Sequence, residues 1–189
     1  HPVAHSFPTR RSSDLLFATL AGVLALSGLD IRAADIFTWE GGLCLDVFTV
    51  APPPKTSGAD HDTLVARVSQ NMRGALAGTL DVAYRIAQKR SSLLNARKGP
   101  ALPATVGVDN HADSLATQVE VAAPDRPGLL HDLAHAIHAQ GLEIRMAKIT
   151  TDAGRVLDAF TLRDGHGRKV QDPEDVERLR AALLEAAGE

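Results

Sequence analysis

The chain has 189 residues, a formal net charge of -3, 44% hydrophobic and 23% charged residues, enough for one or two small packed domains and too apolar for bulk disorder. The acidic balance and the 4% aromatic content argue against a basic, base-stacking nucleic-acid binder. One cysteine, Cys44, makes neither an internal disulfide nor a thiolate zinc site, which fits a reducing, cytoplasmic compartment.

Residues 1–15 read as a non-native leader: His5 to Leu15 spells HSFPTRRSSDL, which is a common sequencing-adapter string translated in one frame. Arg10-Arg11, the apolar run from Leu15 to Leu29 and Arg32-Ala33-Ala34 also imitate a secretory signal, even a twin-arginine one. The run is shorter than the roughly 20 apolar residues of a membrane helix. It also recurs in soluble form later in the chain, so no membrane partner is expected.

That recurrence organises the sequence. Residues 16–50 and 129–162 are two copies of one unit. Leu20 matches Leu133, Gly28-Leu29 matches Gly141-Leu142, Ile31-Arg32 matches Ile144-Arg145, and Ala34 matches Ala147. After a one-residue slip at Gly41-Gly42, Asp46 matches Asp158 and Phe48 matches Phe160. The first copy predicts a helix, a strand and a hairpin strand ending at Val50, with Trp39 packing over the turn. A proline-rich break follows at residues 51–60. A long helix is then expected from Asp62 to Lys89, a linker over 91–104 and a short strand over 105–109.

In the second copy residues 117–121 alternate as a strand, and a turn follows at 124–128. Pro127 suits a first helical turn. Leu130, Leu133, Ala134 and Ile137 form one buried helical stripe, and Gly141 suits a left-handed C-terminal cap. Residues 142–150 and 155–162 read as a hairpin around Asp152-Ala153-Gly154. A polar turn over 164–167 leads to a last helix over 173–187, capped by Asp172. The pattern β-α-β-β-α predicts an α+β fold of two ferredoxin-like (βαββαβ) units with antiparallel sheets. The first lacks its opening strand and the second a clear closing one. The expected boundaries are 16–109, a linker at 110–114, and 115–189.

The string Asp125-Arg126-Pro127-Gly128-Leu129-Leu130, followed by Gly141-Leu142-Glu143-Ile144, resembles the ACT domain, a small-molecule-sensing module. The segments ADIFTWEGGLCLDVFTV, VDNHADSLATQVEVAAPDRPGLL and AKITTDAGRVLDAFTLRDGHGRKVQDPEDVERLRAALLEA resemble the paired C-terminal ACT domains of bacterial PII uridylyltransferase/uridylyl-removing enzymes. The resemblance implies a regulatory, glutamine-sensing piece without enzymatic activity of its own. Nucleotidyltransferase and HD hydrolase domains would lie elsewhere in the parent chain. Its partners would be glutamine or another small amino acid, those catalytic domains, and PII indirectly. No cofactor is expected in this chain; magnesium is expected only with the catalytic domains. The alternative is an ACT pair that mediates assembly and binds no small molecule.

A free amino acid suits such a turn. Its carboxylate matches the unpaired N–H groups and positive end of a helix N-terminus. Gly128 permits close approach, and Asp125 can accept from an ammonium or amide. In the family the turn of one unit faces the start of the second strand of its partner. The expected ligand-binding residues are therefore Asp125, Arg126, Pro127, Gly128, Leu129 and Leu130 with Gly141, Leu142, Glu143 and Ile144, and with Gly28, Leu29, Asp30 and Ile31 of the first copy. There Ser12-Ser13-Asp14-Leu15 stands where the turn should be.

Other groupings carry less. His131, His135 and His138 flank the apolar stripe on its expected wetter side, and no metal is expected there. His61-Asp62 and His131-Asp132 imitate the HD dipeptide of metal phosphohydrolases but lack its further ligands. Arg85, Lys89, Arg90, Arg97 and Lys98 read as a solvated helix end, or as a contact for an acidic catalytic domain. Asp46 and Asp158 recur at matching positions, which suggests a shared structural role such as bonding to a turn.

Overall fold

The computed structural model describes residues 11–38, 44–52, 58–94, 103–152 and 155–188. Trp39, the glycines at the slip, the tip of the second hairpin, Arg97 and Lys98 lie outside them. The described chain is α+β and contains α1 (Arg11–Leu26), β1 (Asp30–Thr38), β2 (Cys44–Ala51), α2 (Gly58–Leu76), α3 (Val82–Leu94), β3 (Thr105–Asp109), β4 (Thr117–Pro124), α4 (Leu129–Ala139), β5 (Leu142–Asp152), β6 (Arg155–Asp164) and α5 (Pro173–Gly188).

The six strands form one antiparallel sheet in the order β2-β1-β5-β6-β4-β3. Helices α1, α4 and α5 cover one face, while α2 and α3 pack on α1. Alternation along β4 and β6 explains the layering: Val119, Val121, Phe160 and Leu162 point into the helices and are fully buried. Leu133, Ala134 and Ile137 of α4 meet them, each large side chain contributing about 1.5–3 kcal/mol by burial. In the first copy Phe17 of α1 stacks on Phe48 of β2 at 5.4 Å between ring centroids. The other sheet face leaves Leu45, Val47, Met146 and Leu157 exposed.

The two copies meet about a pseudo-twofold axis. β1 pairs with β5 at Ala34↔Ala147, the same position of the repeat, and α1 packs on α4. Like meets like, as in an isologous interface. Both strands shift register at the matched residues Arg32 and Arg145, and such bulges bend a strand locally.

Two expectations are corrected. Residues 62–89 do not form one helix. Gly78, at φ 71, ends α2 in the left-handed region, where the carbonyl of Gly74 accepts from Thr79 N (2.9 Å) and Leu80 N (3.0 Å). The Asp81 carboxylate then accepts from Tyr84 N at 2.9 Å and starts α3. The second copy's outer edge is not bare either. β3 precedes it in the chain and pairs with β4 from Thr105↔Ala122 to Asp109↔Gln118, the place of a closing strand. Arg180 of α5 locks it by donating to Val106 O at 2.6 Å. At the opposite end of the sheet β2 is the outermost strand.

Candidate functional site

The turn before α4 is built around Gly128, at φ 76. A Cβ there would lie 2.6 Å from Ile86 Cγ2 and 3.1 Å from Arg90 Nη2, so what approaches this glycine is α3. Arg90 straps the turn: its Nε donates to Pro127 O at 2.9 Å and its Nη2 to the Asp132 carboxylate. Arg126 reaches the same carboxylate oxygen at 2.7 Å and also donates to Ala186 O of α5. Asp132, in the first turn of α4, thus holds two guanidiniums and ties three helices together. Lys89 donates to Ala25 O at 2.6 Å and Arg67 to Ser27 O at 3.0 Å. Cations here satisfy the C-terminal carbonyls of α1, as its dipole favours. Lys89 and Arg90 are therefore not a solvated helix end: the fold of α3 over α1 and the turn takes them inward.

A cavity of about 720 Å³ opens beside this turn. Asp125, Arg126, Pro127, Gly128, Leu129 and Leu130 of the second copy form one wall, and Gly28, Leu29, Asp30 and Ile31 of the first copy another. Lys89, Arg90, Ser91, Thr151 and Asp158 complete its polar lining. Ten of the residues singled out in the sequence thus meet around one space across the pseudo-twofold. Gly141 and Leu142 instead line a separate recess of about 520 Å³ with Asp164, Arg168 and Asp175; Glu143 and Ile144 line neither.

Asp158 lies on the inward face of β6, only 1% exposed. Burial pushes its carboxyl up to about 7, the Thr150 backbone N–H pulls it down, and the nearby Asp125 carboxylate pushes it up further. Its counterpart Asp46 is raised to about 6 by burial. Neither Asp46 carboxylate oxygen, nor Oδ1 of Asp158, has a hydrogen-bond partner among the described residues.

His131 is not on a wet face. It is 5% exposed, with its Nδ1 2.7 Å from Ala18 O across the α1–α4 contact, and its ring meets His135 edge-on at 5.0 Å. Burial, then His131 and His138, lower the His135 pKa. The His131-Asp132 dipeptide is thereby divided between a helix contact and an arginine clamp. Among the described residues no three His, Cys, Asp or Glu side chains group as a metal site. Likewise, no described helix is long and apolar enough to cross a membrane.

The bifunctional uridylyltransferase/uridylyl-removing enzyme of Azospirillum brasilense is 34% identical over 171 residues, 90% of this chain and 18% of its own length. The enzyme of that name from Gluconobacter oxydans is 39% identical over 171 residues, 89% of this chain and 18% of its own. That from Streptomyces coelicolor is 34% identical over 163 residues, 82% of this chain and 19% of its own. The chain belongs with the bifunctional uridylyltransferase/uridylyl-removing enzymes. It spans about a fifth of the length of these curated relatives. No family model and no solved structure matches it.

Within this uridylyltransferase-related segment, sequence reasoning did not place Asp158, Lys89 or Arg90 at the cavity. Asp158 carried a readable signal: it falls in period-2 phase with Val156, Phe160 and Leu162, all inward, so a buried carboxylate was implied. Lys89 and Arg90 gave no comparable signal. Basic residues near a helix end look alike whether they face water or another helix's carbonyls.

Proposed function

We propose that this chain is a regulatory, amino-acid-sensing segment of a uridylyltransferase/uridylyl-removing enzyme, with glutamine as its ligand and the ACT-type pairing of its two copies as its framework. One observation carries the reading: the cavity unites the DRPG turn of one copy with the strand start of the other, two segments about a hundred residues apart in the chain. The first turn of α4 supplies backbone N–H groups and a positive dipole end for a carboxylate. We assign uridylyl transfer and removal, named in the relatives, to parts of the parent protein outside this segment, and read this chain as a sensor rather than a catalyst. A ligand held across the two copies would favour one relative arrangement of the pair. That bias would reach the catalytic parts as a coupling free energy, typically about 1–3 kcal/mol.

Titration calorimetry tests the reading. The chain is expected to bind L-glutamine in preference to L-glutamate, and Asp125→Ala to weaken binding more than His135→Ala. Equal binding of both amino acids, or binding of neither, counts against it. A second reading, assembly without a small ligand, is favoured by the open sheet face with Leu45, Val47, Met146 and Leu157 exposed. Self-association unaffected by glutamine, with no calorimetric signal, would support that alternative.

A further inference from the structure

We infer that Asp158, with Asp125 beside it, is the ammonium-binding end of the cavity, so that the ligand must carry a protonated amine as well as a carboxylate. This inference rests on the amino-acid-sensing reading and adds to it a residue and a chemical requirement. The geometry starts from β6. Asp158 is 1% exposed, lines the cavity, and its Oδ1 has no hydrogen-bond partner among the described residues. A buried carboxylate oxygen left in that state is costly unless something arrives to meet it.

Among the described residues, the cations that line the cavity are committed elsewhere. Arg90 and Arg126 share the Asp132 carboxylate, and Lys89 serves the carbonyls of Ala25 and Leu26. Asp30, the remaining titratable group on the wall, pairs with Arg32 at 2.7 Å. From β5 Asp158 receives a backbone N–H of Thr150, and the neighbouring charge acting on it is another carboxylate, Asp125. A cation brought in by the ligand relieves both burdens, the desolvation and the repulsion. The carboxylate of the same ligand then falls to the N-terminal turn of α4.

The charge bookkeeping gives the test. Burial holds the Asp158 carboxyl up to about 7, so below that pH the empty site carries a proton. An incoming ammonium needs the carboxylate and sends that proton to the buffer. Titration of the chain with L-glutamine at pH 6, in two buffers of different ionisation enthalpy, is expected to show release of about one proton, falling to about none at pH 8. Affinity should drop about tenfold from pH 8 to pH 6. Glutaramate, which is glutamine without its α-amino group, should bind at least about tenfold more weakly than glutamine. Asp158→Asn should abolish the proton release and level the two ligands. If that variant fails to fold, proton release and the glutaramate comparison on the unaltered chain decide alone. Glutamine binding without proton release at pH 6, or equal affinity for glutaramate, overturns the inference and leaves the amino-acid-sensing reading standing. Absence of binding by either ligand overturns both.

Discussion

The two copies share a plan but differ at the turn that precedes the helix. In the second, residues 125–128 form a turn that needs a left-handed glycine and lies beneath α3. In the first, α1 runs through the matching residues 12–15 from Arg11. The helix crossing is also unequal. Ala18 and Gly22 of α1 stand where α4 has His131 and His135, and a Cβ on Gly22 would lie 2.9 Å from His131 Nδ1 and 2.4 Å from Val82 Cγ1. Small residues in one copy make room for large ones in the other. The comparison teaches that duplication can specify a scaffold with near-twofold symmetry, while a single unmatched turn decides where a cavity forms.

The largest expected contrast is in local stability. β6 lies between β5 and β4, whereas its counterpart β2 is outermost and pairs with β1. Amide exchange should therefore protect β6 roughly a hundredfold or more above β2. Equal protection would break the comparison and require a partner for the β2 edge. Next come two left-handed glycines. Gly128→Ala meets Ile86 as well as an unfavourable φ and should cost about 3 kcal/mol in denaturant melts. Gly141→Ala, with nothing within 4 Å of the added Cβ, should cost about 1 kcal/mol. Equal losses would mean that α3 does not press on the turn.

The smallest contrast concerns the paired aspartates. Each has a folded pKa above 3.8: about 7 for Asp158 and about 6 for Asp46. The folded chain therefore keeps protons that the unfolded chain releases, and stability falls as pH rises. The fall runs from about 4 to about 7 for Asp158, and from about 4 to about 6 for Asp46. Asp158→Asn and Asp46→Asn should both stabilise the chain at pH 8 and flatten that slope. The gain should be about 1 kcal/mol larger for Asp158, since one pKa unit is worth about 1.4 kcal/mol. A larger gain from Asp46→Asn would reverse the order of burial inferred for the two.

The amino-acid sequence by itself determined the α+β class, the duplication, and the elements whose signals are local. The α4 stripe of Leu133, Ala134 and Ile137, the cap at Gly141 and the Asp172 cap, whose carboxylate accepts from Glu174 N at 2.9 Å, are all written within a few residues of where they act. Gly78 and Asp81 were equally local, and the break between α2 and α3 was legible to a reader who weighed helix stops as heavily as helix periodicity. Tertiary structure alone decided which distant pieces meet. Strand propensity over 105–109 does not say which sheet edge β3 joins, because backbone hydrogen bonds carry no partner label. Nor does a basic stretch announce that Lys89 and Arg90 will turn inward to helix carbonyls and the Asp132 clamp. The cavity has the same origin: its walls come from segments far apart in the chain, and only the pairing of Ala34 with Ala147, with α1 packed on α4, brings them within reach of one small ligand.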